Sequence, residues 1–558
     1  MSRDNPWGLL AVLMGLFCVI ALPAPLRGTA FVNQHEGDIL HLLDMLFRME
    51  QGQVPHLDFM TPIGALSLWP IALFLDDATG PGAAFLWAQA LVAAALLPAV
   101  AWVAVSRLTL WTGAAFGAAV FLLTSAMVHG EAVPALSLSM HYNRWAWAIA
   151  FVALAIAILP SRRAGQGAGL LDGAILGLCF GALALIKVTY VAAFGPVVLA
   201  ALAMRRDWTA LGMALAAGLA VAAAVSLRYG FVYWAAYVGD ILYVAGSEVR
   251  SAPGRPVDQL LVGPAYVGAT LIAVGAAFLL RRGGEERSGL LLVLSIPGFV
   301  LVTWQNWGND PQWLYLLPVL LLALRPTDGR QVFGRDMRGA LTAMAAGAAA
   351  IALPSAANLA QSIAMTATDG GDSFAPMFAE HPDLQMKTSR ATEARAVVTY
   401  DPVGWTPVAG IAGEDAVDAP QVVAEFMGAG LDDCMIQNGT VRVVSWIAED
   451  LVRAGVRPED VVVAADLAAP FWLFADMRPA DHGAPWYYGG LPGFDGADWM
   501  VVPQCPILSR ARDLVLAEVT ARGLTVTEAH RSPAYILYAL GAGGEAQVAG
   551  RAEPGSGG

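Results

Sequence analysis

The sequence predicts a polytopic α-helical membrane protein with about 11 transmembrane helices and a C-terminal periplasmic α/β domain. Of its 558 residues, 57% are hydrophobic and 14% are charged, whereas a soluble domain carries about 25% charged residues. Long apolar runs follow one another from residue 8 to residue 353. From residue 354 onward there are 26 acidic and 12 basic residues, against 19 acidic and 20 basic residues before it. The apolar runs indicate membrane helices, and the acidic remainder indicates a water-exposed domain.

The change in charge sets the predicted domain boundaries. Residues 1–353 form the transmembrane domain, in which residues 27–82 are the first outer loop. Residues 354–540 form the α/β domain, and the Gly-rich residues 541–558 are predicted to be disordered. The acidic character of the water-exposed half argues against a nucleic acid as partner.

About eleven apolar stretches approach the ~20 residues that a helix needs to cross a bilayer. They cover residues 7–26, 83–105, 110–128, 144–160, 168–186, 190–204, 208–226, 258–280, 289–305, 312–324 and 338–354. Arginines such as Arg107, Arg205 and Arg282 fall in alternate short loops, which the positive-inside rule places in the cytoplasm. Because the number of spans is odd, the N-terminus is predicted to be cytoplasmic and the C-terminal domain periplasmic. The membrane is predicted to be the inner (plasma) membrane of a bacterium. The short apolar segment 64–76 is predicted to be an interfacial helix.

The C-terminal half alternates strand-like and helix-like segments. Buried strands are predicted at residues 461–465, 499–502 and 534–540, and helices at residues 444–454 and 507–522. This half also contains Cys434 and Cys505. If it faces an oxidising compartment, these cysteines are expected to form a disulfide, the alternative being two free thiols.

The first outer loop carries a dense polar segment directly after the first membrane helix. It begins with His35, Glu36 and Asp38 and closes with His56 and Asp58. Either carboxylate near its start could serve as a general base for a hydroxyl within hydrogen-bond reach, so both are candidate catalytic residues. The alternative is that one of them caps the helix predicted to follow. The two histidines and Asp58 are candidate substrate-binding residues.

Four further polar groups fall in predicted outer loops. Their candidate substrate-binding residues are His141, Asn143, Arg144, Lys187, Arg250, Gln305, Asn306 and Asn309. Arg144 and Lys187, with Arg250 behind them, are candidate partners for an anionic group such as a lipid phosphate. Amides and tryptophans alternate in residues 304–313, a composition that suits a sugar ring. The structural alternative is that the aromatic side chains form an interface belt and the basic ones extend to lipid headgroups.

No motif of the sequence requires a cofactor. Five of the eight histidines lie in the predicted outer segments, at His35, His41, His56, His129 and His141. Together with Glu36 and Asp38 they are candidate ligands for a divalent metal ion. Their spacing matches no diagnostic metal-binding motif, and there is no Gly-rich nucleotide-binding loop.

Three short motifs follow one another in the first outer loop. They are Glu36-Gly37, Gly52-Gln53 and the segment from His56 to Gly64, which reads His-Leu-Asp-Phe-Met-Thr-Pro-Ile-Gly. The order resembles that of the GT-C superfamily of membrane glycosyltransferases. There, an acidic motif such as Asp-Glu-Gly or Glu-Gly opens the loop, and a helix follows that ends near Gly-Gln. A turn of the form Tyr-x-Asp-Phe-x-x-Pro-x-Gly-Pro comes next. The pattern is related to those of the protein O-mannosyltransferase and aminoarabinose transferase families.

The resemblance implies a GT-C-like membrane domain that transfers a sugar from a polyprenyl-phosphate donor, with inversion, at the outer face of the membrane. The acceptor would be a lipid-linked glycan, a polysaccharide or a protein, and membrane lipids would be further partners. A carboxylate, Asp38 or Glu36, would deprotonate the acceptor hydroxyl. Arg144 or Lys187 would stabilise the leaving lipid phosphate.

The chain departs from the superfamily pattern at two histidines. His35 stands where an aspartate often precedes the glutamate, and His56 stands where tyrosine is common. The first departure leaves open which of Glu36 and Asp38 is the base. A transporter or flippase of a lipid-linked glycan is the alternative function. The predicted spans hold few ionisable groups and the outer rim holds many, which favours chemistry at one face.

Overall fold

The computed structural model is mainly helical up to Thr368 and mixed α/β beyond it. It describes residues 6–76, 78–128, 135–163, 165–249, 258, 260, 263–306, 310–368, 373–378, 384–394, 422–432, 434–436 and 439–541. The helices are α1 (Pro6–Ala21), α2 (Pro23–Arg27), α3 (Glu36–Glu50), α4 (Trp69–Ala72), α5 (Pro81–Arg107), α6 (Leu110–Ser125), α7 (His141–Ile158), α8 (Gln166–Ile186), α9 (Val188–Arg205), α10 (Trp208–Tyr229), α11 (Val232–Ala245), α12 (Pro264–Arg282), α13 (Glu286–Gln305), α14 (Leu317–Ala323), α15 (Met337–Thr368), α16 (Arg390–Ala394), α17 (Thr440–Arg453) and α18 (Ser509–Ala521). The strands are β1 (Ala30–Val32), β2 (Gln331–Val332), β3 (Arg335–Asp336), β4 (Phe374–Pro376), β5 (Met386–Ser389), β6 (Val422–Phe426), β7 (Ala429–Asp432), β8 (Val462–Ala464), β9 (Trp499–Pro503), β10 (Val526–Arg531) and β11 (Tyr535–Leu540).

Seven helices in the described part of the chain are long and apolar enough to cross a membrane. They are α5, α8, α9, α10, α12, α13 and α15, and each coincides with a predicted span. The other four predicted spans are also helical. Those at α1, α6 and α14 are shorter apolar helices, and α7 begins with the polar turn His141-Tyr142-Asn143-Arg144. Of the about 11 expected spans, seven are therefore helices of sufficient length and hydropathy among the described residues, and the total of 11 is not confirmed.

The chain divides into two compact units. The first unit consists of Met1–Ala30, Ile63–Val232 and Ala252–Gly370, and the second of Phe31–Pro62, Tyr233–Ser251 and Gly371–Gly558. The second unit therefore combines most of the first outer loop and most of α11 with the C-terminal part of the chain. The boundary at residue 353, which was predicted from the change in charge, places these segments in different domains. Charge composition carries no information on packing between residues that are distant in sequence.

Close packing of α8 against α10 fixes the end of α8 in the first unit. Gly173 and Gly177 on α8 face the backbone of α10, and a Cβ at either position would overlap the carbonyl oxygen of Ala210 or Ala214. Small residues at such spacing let two membrane helices approach closely. The contact positions the C-terminus of α8, where Lys187 follows.

The second unit is built on a four-stranded sheet in the order β10-β11-β9-β8. Strand β8 is parallel to β9, and β11 is antiparallel to both β9 and β10. Every residue of β9 and β11 is buried, as expected for central strands covered on both faces. The predicted strands and helices of this half are all present, as β8, β9, β11, α17 and α18. Cys434, after β7, forms a disulfide with Cys505, after β9, and their Cα atoms are 4.8 Å apart.

Two predicted loop segments differ in detail from the expectation. The segment 64–76 forms a short 3-10 turn, Ala65–Ser67, followed by α4, instead of one interfacial helix. Pro70 lacks an N–H group and therefore cannot extend the preceding turn. The predicted outer loop 227–257 contains the 14-residue helix α11, whose buried side chains are Tyr233 and Tyr237.

Candidate functional site

A lysine at the junction of α8 and α9 is the centre of a polar cluster in the first unit. The Nζ atom of Lys187 donates to Oδ1 of Asn143 at 2.8 Å and to Oδ1 of Asn306 at 2.7 Å. Tyr190 donates from its hydroxyl to the carbonyl of Asn143 at 3.1 Å. The ammonium also lies 5.6 Å from the ring centre of Tyr142. Three segments predicted separately from sequence, around residues 143, 187 and 306, therefore meet at one cation, the "Lys187 cluster" (Tyr142, Asn143, Lys187, Tyr190, Asn306).

The two amides of the Lys187 cluster are almost inaccessible to solvent. Asn143 is 0% exposed and Asn306 is 1% exposed, whereas Lys187 is half-buried. Buried amide oxygens gain from a charged donor, and the ammonium is held in a fixed direction. The two amide oxygens fix the direction of the ammonium, and an ammonium with a fixed direction suits the binding of an anion.

An apolar cleft of about 920 Å³ in the first unit reaches the residue that precedes Lys187 in the chain. Its lining includes Leu66, Trp145, Ile149, Leu178 and Ile186. Among the described residues, Arg163 is the charged member of the lining. A long, apolar cleft beside membrane helices fits a hydrocarbon chain.

Arg144, a predicted phosphate partner, donates its hydrogen bonds to backbone carbonyl groups. Its guanidinium is fully buried and donates to the carbonyls of Val128, Ser139 and Ala126, the last two at 3.1 Å and 2.9 Å. These carbonyls belong to the segment between α6 and α7. The geometry favours a structural role for Arg144 over phosphate binding.

His141 is also part of the packing of the first unit. Its Nε2 is hydrogen-bonded to the carbonyl of Ser67 at 2.9 Å, and its ring makes edge contacts with Phe85 and Trp145. It therefore ties the turn at residues 65–67 to α7. Gly64, just before that turn, approaches the carbonyl of Leu185 so closely that a Cβ would overlap it.

Glu36, in the second unit, is buried and caps a helix from a distant segment. The carboxylate is 4% exposed and accepts hydrogen bonds from the Thr388 hydroxyl at 2.7 Å and the Val441 N–H at 3.3 Å. Val441 lies in the first turn of α17, whose N-cap residue Gly439 provides no side-chain cap. Burial raises the pKa of Glu36, and its hydrogen bonds oppose that shift. Glu36 therefore caps α17, whereas the sequence predicted that a carboxylate here caps the helix that follows it, α3.

Asp44 and Arg48 extend the polar face of α3 that begins at Glu36. Arg48 pairs with Asp44 at 2.5 Å and donates to the carbonyl of Ala480 at 2.8 Å. The indole N–H of Trp472 donates to Asp44 at 2.9 Å. Residues 36, 44 and 48 lie within about 120° of one another on the helix, and we call these three side chains the α3 stripe.

Asp38 occupies a different face of α3. At about 100° per residue, it lies about 200° from Glu36 and about 80° from Arg48 around the helix axis. It is half-buried in the first turn, next to the exposed His35, whose φ of 60° is in the left-handed region. The two candidate bases thus project in different directions from α3.

His56 and Asp58 belong to the tight turn that ends the first-loop motif. Asp58 accepts the N–H of Val54 at 2.7 Å, which closes the turn. The Nδ1 atom of His56 is 2.8 Å from a carboxylate oxygen of Asp240 on α11, and the same oxygen accepts the N–H of Thr61 at 3.2 Å. Asp58 has a structural role in this turn, whereas His56 is held by a charged partner.

The remaining predicted site residues divide between those described and those outside the described residues. Gln305 is the last residue of α13, next to Asn306. Arg250, Asn309 and His129 lie outside the described residues. Within the described part of the chain, no group of three or more His, Cys, Asp or Glu side chains comes together in a way that could hold a metal ion.

Sequence reasoning missed Thr388, Tyr190 and Asp240 as partners of the candidate residues. Tyr190 lies three residues after Lys187, a helical spacing that could have indicated it. Thr388 and Asp240 are 352 and 184 residues from their partners, and no local signal marks them.

Comparison with known proteins gives structural similarity only. Two solved structures of ArnT from Cupriavidus metallidurans align with 95% of this chain and 97% of theirs at 12% identity. The TM-score is 0.41 for ArnT bound to undecaprenyl phosphate and 0.38 for the apo state. A similarity at this level establishes neither an activity nor a substrate for the chain. No protein-family model matches the sequence, and no curated protein is significantly similar to it.

Proposed function

We propose that the protein is a membrane glycosyltransferase. It transfers a sugar from a polyprenyl-phosphate donor to a lipid-linked glycan, a polysaccharide or a protein at the outer face of the bacterial inner membrane. The observation that carries this proposal is that Lys187, held by two amides, directly follows Ile186, a residue that lines an apolar cleft. A fixed cation beside a hydrocarbon-binding cleft fits the phosphate and the tail of a lipid phosphate.

Lys187 stabilises the charge that develops on the leaving lipid phosphate. Transfer breaks the bond between the anomeric carbon and the phosphate oxygen, and the electron pair of that bond stays on the phosphate. A preoriented ammonium in a poorly solvated site is more effective for this than a mobile surface lysine. The amides of Asn143 and Asn306 supply that orientation at 2.8 Å and 2.7 Å.

The apolar cleft holds the isoprenoid chain of the donor. Ile186 lines the cleft and precedes Lys187 directly, so a lipid whose tail enters there carries its phosphate next to the ammonium. The volume of about 920 Å³ accommodates several isoprene units. Membrane lipids occupy the cleft when no donor is bound.

Asp38 is the base in this mechanism, and Glu36 is structural. Asp38 takes the proton of the acceptor hydroxyl while the acceptor oxygen forms its bond to the anomeric carbon. Direct displacement by that oxygen inverts the configuration of the sugar. The support for choosing Asp38 is that Glu36 is only 4% exposed, whereas Asp38 is half-buried and lies on another face of α3.

The test is a transfer assay in membranes supplied with a polyprenyl-phosphate sugar. Lys187→Met is expected to lower turnover by about 10²–10³-fold because it removes the charge that stabilises the leaving group. Lys187→Arg should retain part of the activity. The other lysine of the chain, Lys387, gives a matched control: Lys387→Met removes an equal charge from β5 and should leave turnover unchanged.

Glycan and lipid analysis of cells with and without the protein tests the function independently of the site. A sugar missing from a glycan in the absence of the protein supports transfer. A lipid-linked glycan that accumulates on the inner leaflet, with all sugars present, would instead establish a flippase and refute the proposal.

A further inference from the structure

A histidine–carboxylate pair in the second unit joins the first-loop turn to α11. His56 Nδ1 lies 2.8 Å from Asp240 Oδ2. The backbone of His56 is in the left-handed region, with φ 72°, which is uncommon for a residue other than glycine. The N–H of His56 donates to the carbonyl of Phe59 at 2.9 Å, and the turn therefore holds the ring in this orientation.

The other ring nitrogen of His56 has no hydrogen-bond partner within the described part of the chain. The side chain is 0% exposed. With the proton on Nδ1, shared with Asp240, the Nε2 atom presents a lone pair. A buried acceptor without a partner costs free energy, so this nitrogen suits a ligand that donates a hydrogen bond.

Two tyrosines of α11 pack against the His56 ring. The rings of Tyr237 and Tyr233 are centred 4.6 Å and 5.5 Å from the His56 ring. With Asp240 they lie at helical positions i, i+4 and i+7, on one face of α11. They are the buried side chains of this helix; Val238 and Leu242, for example, are 50% and 66% exposed.

We infer that His56, with Asp240, Tyr233 and Tyr237 of α11, forms a subsite for a sugar ring. A sugar hydroxyl donates to His56 Nε2, and a tyrosine ring packs on the sugar face. Asp240 is a positioning residue that fixes the histidine tautomer. No covalent bond forms or breaks in this step. The inference rests on the proposed function for the identity of the ligand as a sugar, which belongs either to the donor or to the acceptor.

The test uses the full-length protein with ¹⁵N-labelled histidine in lipid nanodiscs. In the wild type, the ¹⁵N shifts should report a neutral ring protonated on Nδ1, and a soluble analogue of the donor or acceptor sugar should shift the Nε2 signal. Asp240→Asn keeps the shape but removes the charge that fixes the tautomer. It should weaken binding of the sugar analogue about tenfold and raise one KM by a similar factor, with kcat little changed. The KM that rises identifies the sugar as donor or acceptor.

Ser247→Ala is the control for a merely structural effect. It removes the 2.6 Å hydrogen bond from the Ser247 hydroxyl to the Tyr488 carbonyl, which holds the end of α11, and leaves the pair intact. If this variant raises the same KM as Asp240→Asn, or if Asp240→Asn lowers only thermal stability, the subsite is refuted. Normal transfer without any sugar-dependent Nε2 shift also refutes it. A sugar-dependent shift in a protein that transfers no sugar would instead refute the proposed function and leave the subsite standing.

Discussion

The Lys187 cluster and the α3 stripe both contain charged side chains that are at least half-buried, but the hydrogen-bond partners of these side chains differ. In the α3 stripe, Arg48 is paired with Asp44, and Glu36 accepts hydrogen bonds from a hydroxyl and a helix N-terminus. In the Lys187 cluster, the ammonium donates to two neutral amide oxygens. The side chains of the α3 stripe have partners from distant parts of the sequence, and the Lys187 cluster itself combines distant residues.

The difference separates a stabilising role from a ligand-binding role. A buried ion pair is costly to break, and its two charges neutralise each other, so the pair attracts a charged ligand only weakly. An ammonium held by two amide oxygens has a fixed direction in which it can meet an anion. The α3 stripe therefore holds α3 within the second unit, and the Lys187 cluster is the better candidate for binding phosphate.

The largest expected effect is on catalysis at the face of α3 opposite Glu36. Asp38→Asn should lower turnover by about 10²–10⁴-fold because it removes the proposed base without changing the shape of the side chain. Turnover in membranes, normalised to the amount of folded protein, measures this effect. Equal losses of turnover in Asp38→Asn and Glu36→Gln would show that Asp38 and the α3 stripe do not differ in their role in catalysis.

Breaking the charge pair of the α3 stripe should chiefly affect stability. Arg48→Met leaves Asp44 buried without its cation and should lower the free energy of unfolding by about 3–5 kcal/mol. Thermal unfolding in detergent, followed by tryptophan fluorescence, measures it. The double variant with Asp44→Asn should recover part of the loss. Unchanged stability in the single variant would show that the stripe does not hold α3 in place.

A charge added to the Lys187 cluster should weaken donor binding. Asn306→Asp places a carboxylate 2.7 Å from the ammonium in nearly the same shape and should raise the KM for the lipid donor about tenfold. Asn306→Ser removes the amide without adding charge. It therefore shows how much of the effect comes from the lost hydrogen bond to Lys187 and how much from the added negative charge. If Asn306→Asp binds the donor as well as the wild type, the ammonium does not meet the phosphate.

The smallest expected effect is the loss of the Glu36 carboxyl. Glu36→Gln keeps an acceptor for the Thr388 hydroxyl and should cost about 1 kcal/mol of stability, with transfer activity retained. Because burial raises the pKa of Glu36, its folded-state contribution is present at acidic pH and is lost as the pH rises through that raised pKa. Just above pH 4.5, the ordinary pKa of glutamate, the free energy of unfolding of Glu36→Gln should therefore change less with pH than that of the wild type. The same pH dependence in both proteins would contradict the structural role of Glu36.

Much of the secondary structure was predictable because its signals are local. Apolar runs of about 20 residues predict membrane helices without knowledge of their neighbours, and α5, α8 and α13 match the predictions closely. The buried strands β9 and β11 were predicted from short runs of apolar residues. Helix α11 was missed because its apolar stretch is only 14 residues long and lies within a predicted outer loop.

The roles of the candidate residues were less predictable. Sequence placed Arg144 and Lys187 on equal terms as phosphate partners, since both are basic residues in predicted outer segments. The structure separates them: the Arg144 guanidinium is used by three backbone carbonyls, and the Lys187 ammonium is held by two amides. Glu36 and Asp38 were likewise equivalent in sequence, and the partners of Glu36 distinguish them.

The sequence by itself determined which segments are apolar helices, which are strands and which residues carry charge, because these follow from composition and from periodicities of 3.6 and 2 residues. Only the tertiary structure decided which polar residues meet. Lys187 and Asn306 are 119 residues apart, and Glu36 and Thr388 are 352 apart. The packing of whole helices and strands fixes such pairs, and no local pattern encodes it. A charged residue therefore acquires a stabilising or a functional role only through the partners that folding brings to it.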